Sequence, residues 1–388
     1  MKGDFHMPRV TGTYVTLTTL GEPVKVFVPH PLPPSAPALA DSAWLERNRS
    51  AELALARLSA VAGLVPSVDW LLYSAIRKEA LMTSQIEGTQ ATLTDLFDNE
   101  AGLAVSNTDD VEEVTNYLRA FRLVQANLRD PAGLPISVRL LCDAHRLLLD
   151  GVRGTGKQPG ELRRSQNWIG GSRPGNAVFV PPPAEQVPAL LADLERFIHA
   201  PAISLPSLVK VALVHAQFET IHPFLDGNGR MGRLLIGALL EHWGLLPEPL
   251  MYLSGYLKQH QSAYYRHLSD VRTIGDWEAW VGFFLDGVDM AATQAEQDIV
   301  ALASLVAADR RRLLQHPKAG PASYRLFELL PTMPRFSVER ARAALGTTTP
   351  TASAAIRVLE ELGIVTEITG QKKNRSFSYA AYIDRLGR

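Results

Sequence analysis

The stretch FETIHPFLDGNGRMGRLL, Phe218–Leu235, places a histidine, an aspartate, an asparagine between two glycines, and two arginines in one short span. The preceding VKVALVHAQFETI has the apolar spacing of a helix, and Pro223, which has no N–H to donate, ends it. GRMGRLLIGALL begins a second helix. Between the two, Gly227 and Gly229 tolerate unusual dihedrals and put no side chain between a ligand and the backbone amides. Such a turn at a helix N-terminus is an anion nest sized for a polyphosphate. Asp226 sets a hard oxygen ligand beside it, suited to magnesium shared with phosphate oxygens. Arg230 and Arg233 lie three apart and face one anion, and Asn228 can add hydrogen bonds. His222, with an ordinary pKa of about 6.5, can accept a proton from a hydroxyl. Together these residues describe phosphoryl or nucleotidyl transfer to a hydroxyl.

Two other readings compete with this one. A glycine connector with a capping aspartate accounts for LDGNG alone, but not for His222, Asp226, Asn228, Arg230 and Arg233 at once. Metal hydrolysis would use His215 and His222, two helical turns apart, yet no HExxH pattern completes a site, and His215 is expected in the core.

Outward from this stretch the chain is mainly helical. Apolar residues recur at helical spacing from Asp41 through SAWLERNRSAELALARLSAVAGL, SVDWLLYSAIRKEALMTSQIEG, VEEVTNYLRAFRLVQANL, SVRLLCDAHRLLLDG and EQVPALLADLERFI. QNWI and AVFV, separated by glycines, Pro174 and Asn176, predict a β-hairpin projecting from this bundle. Residues 1–40 read as an extended arm and a proline-rich linker. After a long helix and the break HPKAGPA, three short helical patterns and two strands around a basic turn give the order of a winged helix. The predicted domains are 1–40, an N-terminal helical region 41–110, a catalytic core 111–298, and a linker helix with the winged helix at 299–388.

The 388 residues exceed what one core usually supports. A net charge of −1 gives no global attraction to nucleic acid or an anionic membrane, so a nucleic-acid role would need a local patch. One cysteine, Cys142, excludes an intramolecular disulfide. No apolar run is long enough to cross a bilayer, and a cytoplasmic protein is expected.

HPFLDGNGRMGR resembles the signature of the Fic family, His-x-Phe-x-Asp/Glu-Gly-Asn-Gly-Arg-x-x-Arg, at every fixed position. The resemblance implies a protein adenylyltransferase that moves AMP from ATP to a Ser, Thr or Tyr hydroxyl, self-modification included. It also implies His222 as general base, Asp226 as the Mg2+ ligand, and Phe224 as packing anchor. Asn228 with the amides of Gly227 and Gly229 would cradle phosphate, and Arg230 and Arg233 would hold the β- and γ-phosphates. The related Doc kinases carry lysine where this chain has Gly229. TSQIEG, Thr83–Gly88, matches the family's inhibitory pattern, with Thr83, Glu87 and Gly88 in its fixed places. A Glu87 carboxylate on Arg233 would contest the grip on ATP.

By the same likeness, Ala177, Val178, Phe179 and Val180 form the flap that pairs with the target segment, and Tyr264 and Tyr265 bound the adenine pocket. Arg272 stands where relatives often place asparagine. In the tail, Arg357, Lys372, Lys373 and Arg375 are candidate DNA contacts. The expected partners are ATP, a hydroxyl-bearing protein, DNA and a second copy of the chain. The alternatives are a DNA-binding regulator that senses nucleotide, or an enzyme that mainly removes AMP with Glu87 in a supporting role.

Overall fold

Strands β1 (Gly12–Thr19) and β2 (Glu22–Pro29) pair antiparallel, with Val15 opposite Val26 and a two-residue turn at Leu20–Gly21 in which both φ angles are positive. This corrects the expected arm. TYVTLTT and PVKVFV are both β-prone, and the tight turn joins them into a hairpin. The computed structural model describes residues 9–35, 37–63, 67–152, 156–201 and 204–387.

Among the described residues eleven α-helices follow: α1 (Asp41–Ala62), α2 (Val68–Ile86), α3 (Leu93–Glu100), α4 (Thr108–Arg129), α5 (Val138–Leu148), α6 (Val187–His199), α7 (Ser207–Ile221), α8 (Asn228–His242), α9 (Leu253–Gln259), α10 (Gln261–Thr273) and α11 (Trp277–Leu314). Their starts follow local chemistry. Ser67 caps α2 by accepting from the Asp69 amide, Thr92 and Asp95 form a capping box on α3, and Asp276 accepts from the Ala279 amide at the start of α11. Helix α7 lies at the centre, and every residue in it except Ser207 and Lys210 is buried. A helix apolar on all sides needs partners on all sides. It packs against α6, α8, α10 and α11, and Trp280 of α11 donates from Nε1 to the Ala212 carbonyl at 2.8 Å. Among the described residues no helix is long and apolar enough to cross a membrane.

Between α5 and α6 the expected hairpin shrinks to a single bridge, Ile169 to Phe179, with a 3-10 turn at Pro174–Asn176. Gly170, Gly171 and Pro174 leave too little extended backbone for a ladder. The segment leans on the N-terminal hairpin instead. The Phe27 amide donates to the Val180 carbonyl at 3.1 Å, Val180 packs with Val24 and Val26, and Arg173 pairs with Glu22 at 2.6 Å.

The C-terminal unit contains α12 (Pro321–Leu329), β3 (Arg335–Ser337), α13 (Val338–Leu345), α14 (Thr349–Glu361), β4 (Thr366–Glu367), β5 (Ser376–Ser378) and α15 (Ala380–Gly387). Its sheet has the order β3-β5-β4, so a strand before α13 completes the two that the sequence suggested. The unit packs onto the bundle. Tyr382 and Ser74 hydroxyls meet at 3.1 Å, Tyr379 donates to Asp309 at 2.7 Å, and Arg335 pairs with Asp98. The expected boundary at 110/111 falls inside α4 and that at 298/299 inside α11, so neighbouring regions share continuous helices.

Trp280 ties α11 to the central helix by both its ring and its N–H. Trp280→Ala is expected to lower stability by about 3–5 kcal/mol, seen as a drop in the urea midpoint. An unchanged midpoint would show that α7 is held without it.

Candidate functional site

His222 caps α7 in the left-handed region, φ 50° and ψ 63°, with its amide donating to the Phe218 carbonyl at 2.9 Å. That backbone reversal throws the following loop back across the end of the helix. Asn228 braces the loop from inside. Its Oδ1 accepts from the Phe224 amide and its Nδ2 donates to the Phe224 carbonyl, each at 2.8 Å. The side chain expected in a phosphate cradle thus braces the loop, with one Nδ2 hydrogen left to donate. Phe224 is buried and stacks on His145 with ring centroids 3.8 Å apart.

His145 is a site residue that was not singled out from the sequence. Its Nδ1 accepts from the Gly160 amide at 2.9 Å, so Nε2 carries the proton and donates to the Asp226 carbonyl at 3.0 Å. Burial lowers its pKa to about 4 and keeps it neutral. Gly227 then turns with φ 74°, and its amide donates to Asp226 Oδ1 at 2.6 Å. Asp226 is half-exposed beside the first turn of α8, whose leading N–H groups lack intrahelical partners. Among the described residues no cluster of three or more metal-ligating side chains exists. A single carboxylate at a helix N-terminus suits magnesium only when phosphate oxygens complete its shell.

Both arginines of α8 are buried. Arg230 pairs with Glu113 at 3.3 Å and lies 3.9 Å from Asp226. Arg233 donates from Nε to the Thr83 hydroxyl at 2.6 Å, from Nη2 to the Thr83 carbonyl at 3.2 Å, and to Glu87 Oε1. Thr83 and Glu87 are one helical turn apart at the end of α2, so one guanidinium spans both. Burial works against the Glu87 carboxylate, but the Arg233 charge and hydrogen bond outweigh it and lower its pKa. A Cβ on Gly229 would meet Glu87 Oε1 at 2.3 Å. Gly88 follows in a positive-φ turn.

The His222 ring keeps some solvent-accessible edge but sits deep. Burial, then the Arg163 charge, lower its pKa to about 4, below the ordinary value assumed from sequence. Its Nδ1 is buried without a hydrogen bond of ordinary geometry. Under it His215 is fully buried, with Nδ1 at 3.1 Å from the Gly232 carbonyl and Nε2 at 2.9 Å from the Tyr264 hydroxyl. Tyr264 is thus a core residue at 1% exposure, while Tyr265, at 47%, presents its ring outward. The two rings lie 5.1 Å apart, with Tyr265 the more open to solvent. Arg272 stacks its guanidinium 3.9 Å above the Phe179 ring and so touches the flap. Along the flap Ala177 is half-buried, Val178 is 82% exposed and Val180 is buried. Far from this centre in the chain, Arg357 is exposed on α14, and Lys372 and Lys373 are exposed on the loop between β4 and β5. Arg375 lies 5.3 Å above the Phe377 ring.

Glu219 was not singled out from the sequence. It is buried, and its Oε1 lacks a hydrogen-bond partner. Burial, opposed by Arg233 and assisted by Glu87, pushes its carboxyl up to about 7. Between its ordinary 4.5 and about 7 the folded chain keeps a proton that the unfolded chain has lost, so stability falls as pH rises through that window. Glu219→Gln should therefore change stability little near about pH 4 and raise it by up to about 3 kcal/mol near about pH 8. Equal effects in urea titrations at both values would refute this.

Residues 45–125 match the Fic/DOC family N-terminal model and residues 135–240 the Fic/DOC family model. The protein adenylyltransferase Fic of Drosophila erecta is 29% identical over 208 residues, which are 52% of this chain and 38% of that protein. The Drosophila melanogaster protein of the same name gives the same identity over the same shares of both chains. The chain thus spans well under half the length of these curated relatives. Among solved structures, a Fic family protein from Desulfovibrio desulfuricans G20 superposes with a TM-score of 0.57 at 21% identity, covering 88% of this chain and 97% of that one. Residues 134–508 of Fic-1 from C. elegans superpose with a TM-score of 0.51 at 20% identity, over 67% of this chain and 73% of that one. The helical architecture is that of Fic proteins, and within it the chain carries a region matching the Fic/DOC N-terminal model followed by one matching the Fic/DOC model.

Proposed function

We propose that the chain is a protein adenylyltransferase that transfers AMP from ATP to a protein hydroxyl and is held in check by Glu87. The observation that carries the reading is convergence on the first turns of α8: His222 at the end of α7, Asp226 in the loop, and the buried Arg230 and Arg233. A triphosphate at that helix end would meet unpaired amides and two guanidiniums. The substrate hydroxyl attacks the α-phosphorus, the bond to pyrophosphate breaks, and His222 takes the hydroxyl proton. His222 is poised for this because it is neutral, and phosphate charge arriving nearby would raise its proton affinity. Magnesium, held by Asp226 with phosphate oxygens, would neutralise charge on the leaving pyrophosphate. The flap, with Val178 exposed and its backbone edge beside Phe179, supports docking of an extended target segment.

Glu87 occupies the Arg233 guanidinium that a γ-phosphate would need. Freeing it with Glu87→Gly is expected to raise label incorporation from α-labelled ATP by roughly tenfold or more. His222→Ala in that background should lower it by roughly 10²–10⁴-fold. Mass spectrometry of the same reaction identifies the transferred group. No incorporation in any of these proteins would end the reading, and release of AMP from modified protein that needs Glu87 would favour the removal reaction.

A second role is proposed for the C-terminal unit, as a winged helix on DNA, supported by the exposed Arg357, Lys372 and Lys373. Replacing both lysines with alanine should weaken duplex binding across sequences and reduce the salt slope of the binding constant by about 2. An unaltered slope in fluorescence anisotropy would remove DNA from the list of partners.

A further inference from the structure

Arg163 is among the largest fully buried side chains, and among the described residues no carboxylate forms an ion pair with it. A buried guanidinium in that position must place its donors elsewhere. Here they go to backbone carbonyls. Nε donates to His222 O at 2.9 Å, Nη2 to Pro182 O at 2.5 Å and Ile221 O at 3.4 Å, and Nη1 to Ser165 O at 3.5 Å. The Arg163 amide donates to Pro223 O at 2.9 Å. Three consecutive carbonyls at the α7 exit and the carbonyl that begins the return from the flap thus converge on one residue.

We propose that Arg163 is a positioning residue that locks the left-handed His222 backbone and the base of the flap into one unit. This rests on the reading of His222 as the base. The carbonyls of Ile221 and His222 lie where a helix end leaves acceptors unsatisfied, and the guanidinium satisfies them in the one geometry that its planar fork allows. Pro182 follows Phe179 and Val180, so the same fork registers the target-facing edge against the base. A displacement of either would separate the hydroxyl from the imidazole. The Arg163 charge also acts on the ring. It is the foremost charge opposing a proton on His222, with Arg272 in the same sense and Glu87 in the opposite one, while the Glu219 backbone carbonyl also favours the proton.

The test compares the full chain with Arg163→Lys, which keeps the charge but not the fork, and Arg163→Met, which keeps neither. Three readouts are taken: the His222 ring titration by NMR, assigned with His222→Ala; amide exchange at His222 and Phe179; and kcat and KM for ATP in the Glu87→Gly background. Arg163→Lys is expected to speed exchange at both amides together and lower kcat by roughly 10²-fold with KM for ATP little changed. Its His222 midpoint should stay close to the parent value, whereas Arg163→Met should move that midpoint upward from about 4. Unchanged exchange in Arg163→Lys, or a parental midpoint in a folded Arg163→Met protein, overturns the proposal. Exchange and titration need no turnover, so they decide the role of Arg163 even where absence of transfer in every protein has ended the functional reading.

Discussion

A guanidinium withdrawn from water must have its donors satisfied, and Arg233, almost wholly withdrawn, has a carboxylate among its acceptors. Its position on the second turn of α8, against the central α7, leaves it no route to solvent, so whatever packs over it must supply acceptors for its donors. In the free protein the supply comes from α2, through the Thr83 hydroxyl and carbonyl and the Glu87 carboxylate. The end of α2 is consequently held by these polar contacts as well as by the packing of α2 against α9 and α4. Under the proposed function a triphosphate would replace the carboxylate without leaving the cation bare, and one arginine would serve a resting state and a loaded state in turn.

The same economy of charge sets the protonation of the histidines. His145, His215 and His222 all have their pKa lowered first by burial, and each lies near an arginine that reinforces the effect. As neutral rings they take directional roles that an imidazolium could not: His145 accepts from one amide while donating to the Asp226 carbonyl, and His215 links Gly232 to Tyr264. Between Phe224 and Asp226 the loop is held by uncharged side chains, Asn228, Asn167 and His145.

Much of this was legible because local chemistry wrote it into short spans. Pro223 ending a helix, glycines before the next, and helical spacing over most of the chain are nearest-neighbour effects, and TSQIEG carried its own pattern. What escaped was decided at long range. Arg163 looks like any basic residue in GELRRSQ until the fold brings it to the carbonyls of residues 221 and 222. Glu219 is one of forty acidic residues until burial raises its pKa. Tyr264 and Tyr265 read as a pair, yet adjacent helical residues point about 100° apart, and only one could face the core. The flap erred the other way: QNWI and AVFV favour strands, but glycine and proline between them permit only a bridge, and the missing partner is the N-terminal hairpin.

The glycines of GNGRMGR acquire a second meaning from the packing. A Cβ on Gly229 would come within 2.3 Å of a Glu87 oxygen, and one on Gly232 within 2.3 Å of a Glu219 oxygen. The two positions are three apart, on the face of α8 that also carries Arg233. Bare backbone there lets two carboxyl groups approach the helix closely, one from α2 and one from α7. One is ionised on the guanidinium, and the other holds its proton near neutrality because it is buried, with the charge of the first adding to the effect. Access of phosphate to amides explains Gly229 alone. Room for carboxyl groups explains both glycines, and it makes the spacing Gly-x-x-Gly part of how the chain distributes charge around Arg233.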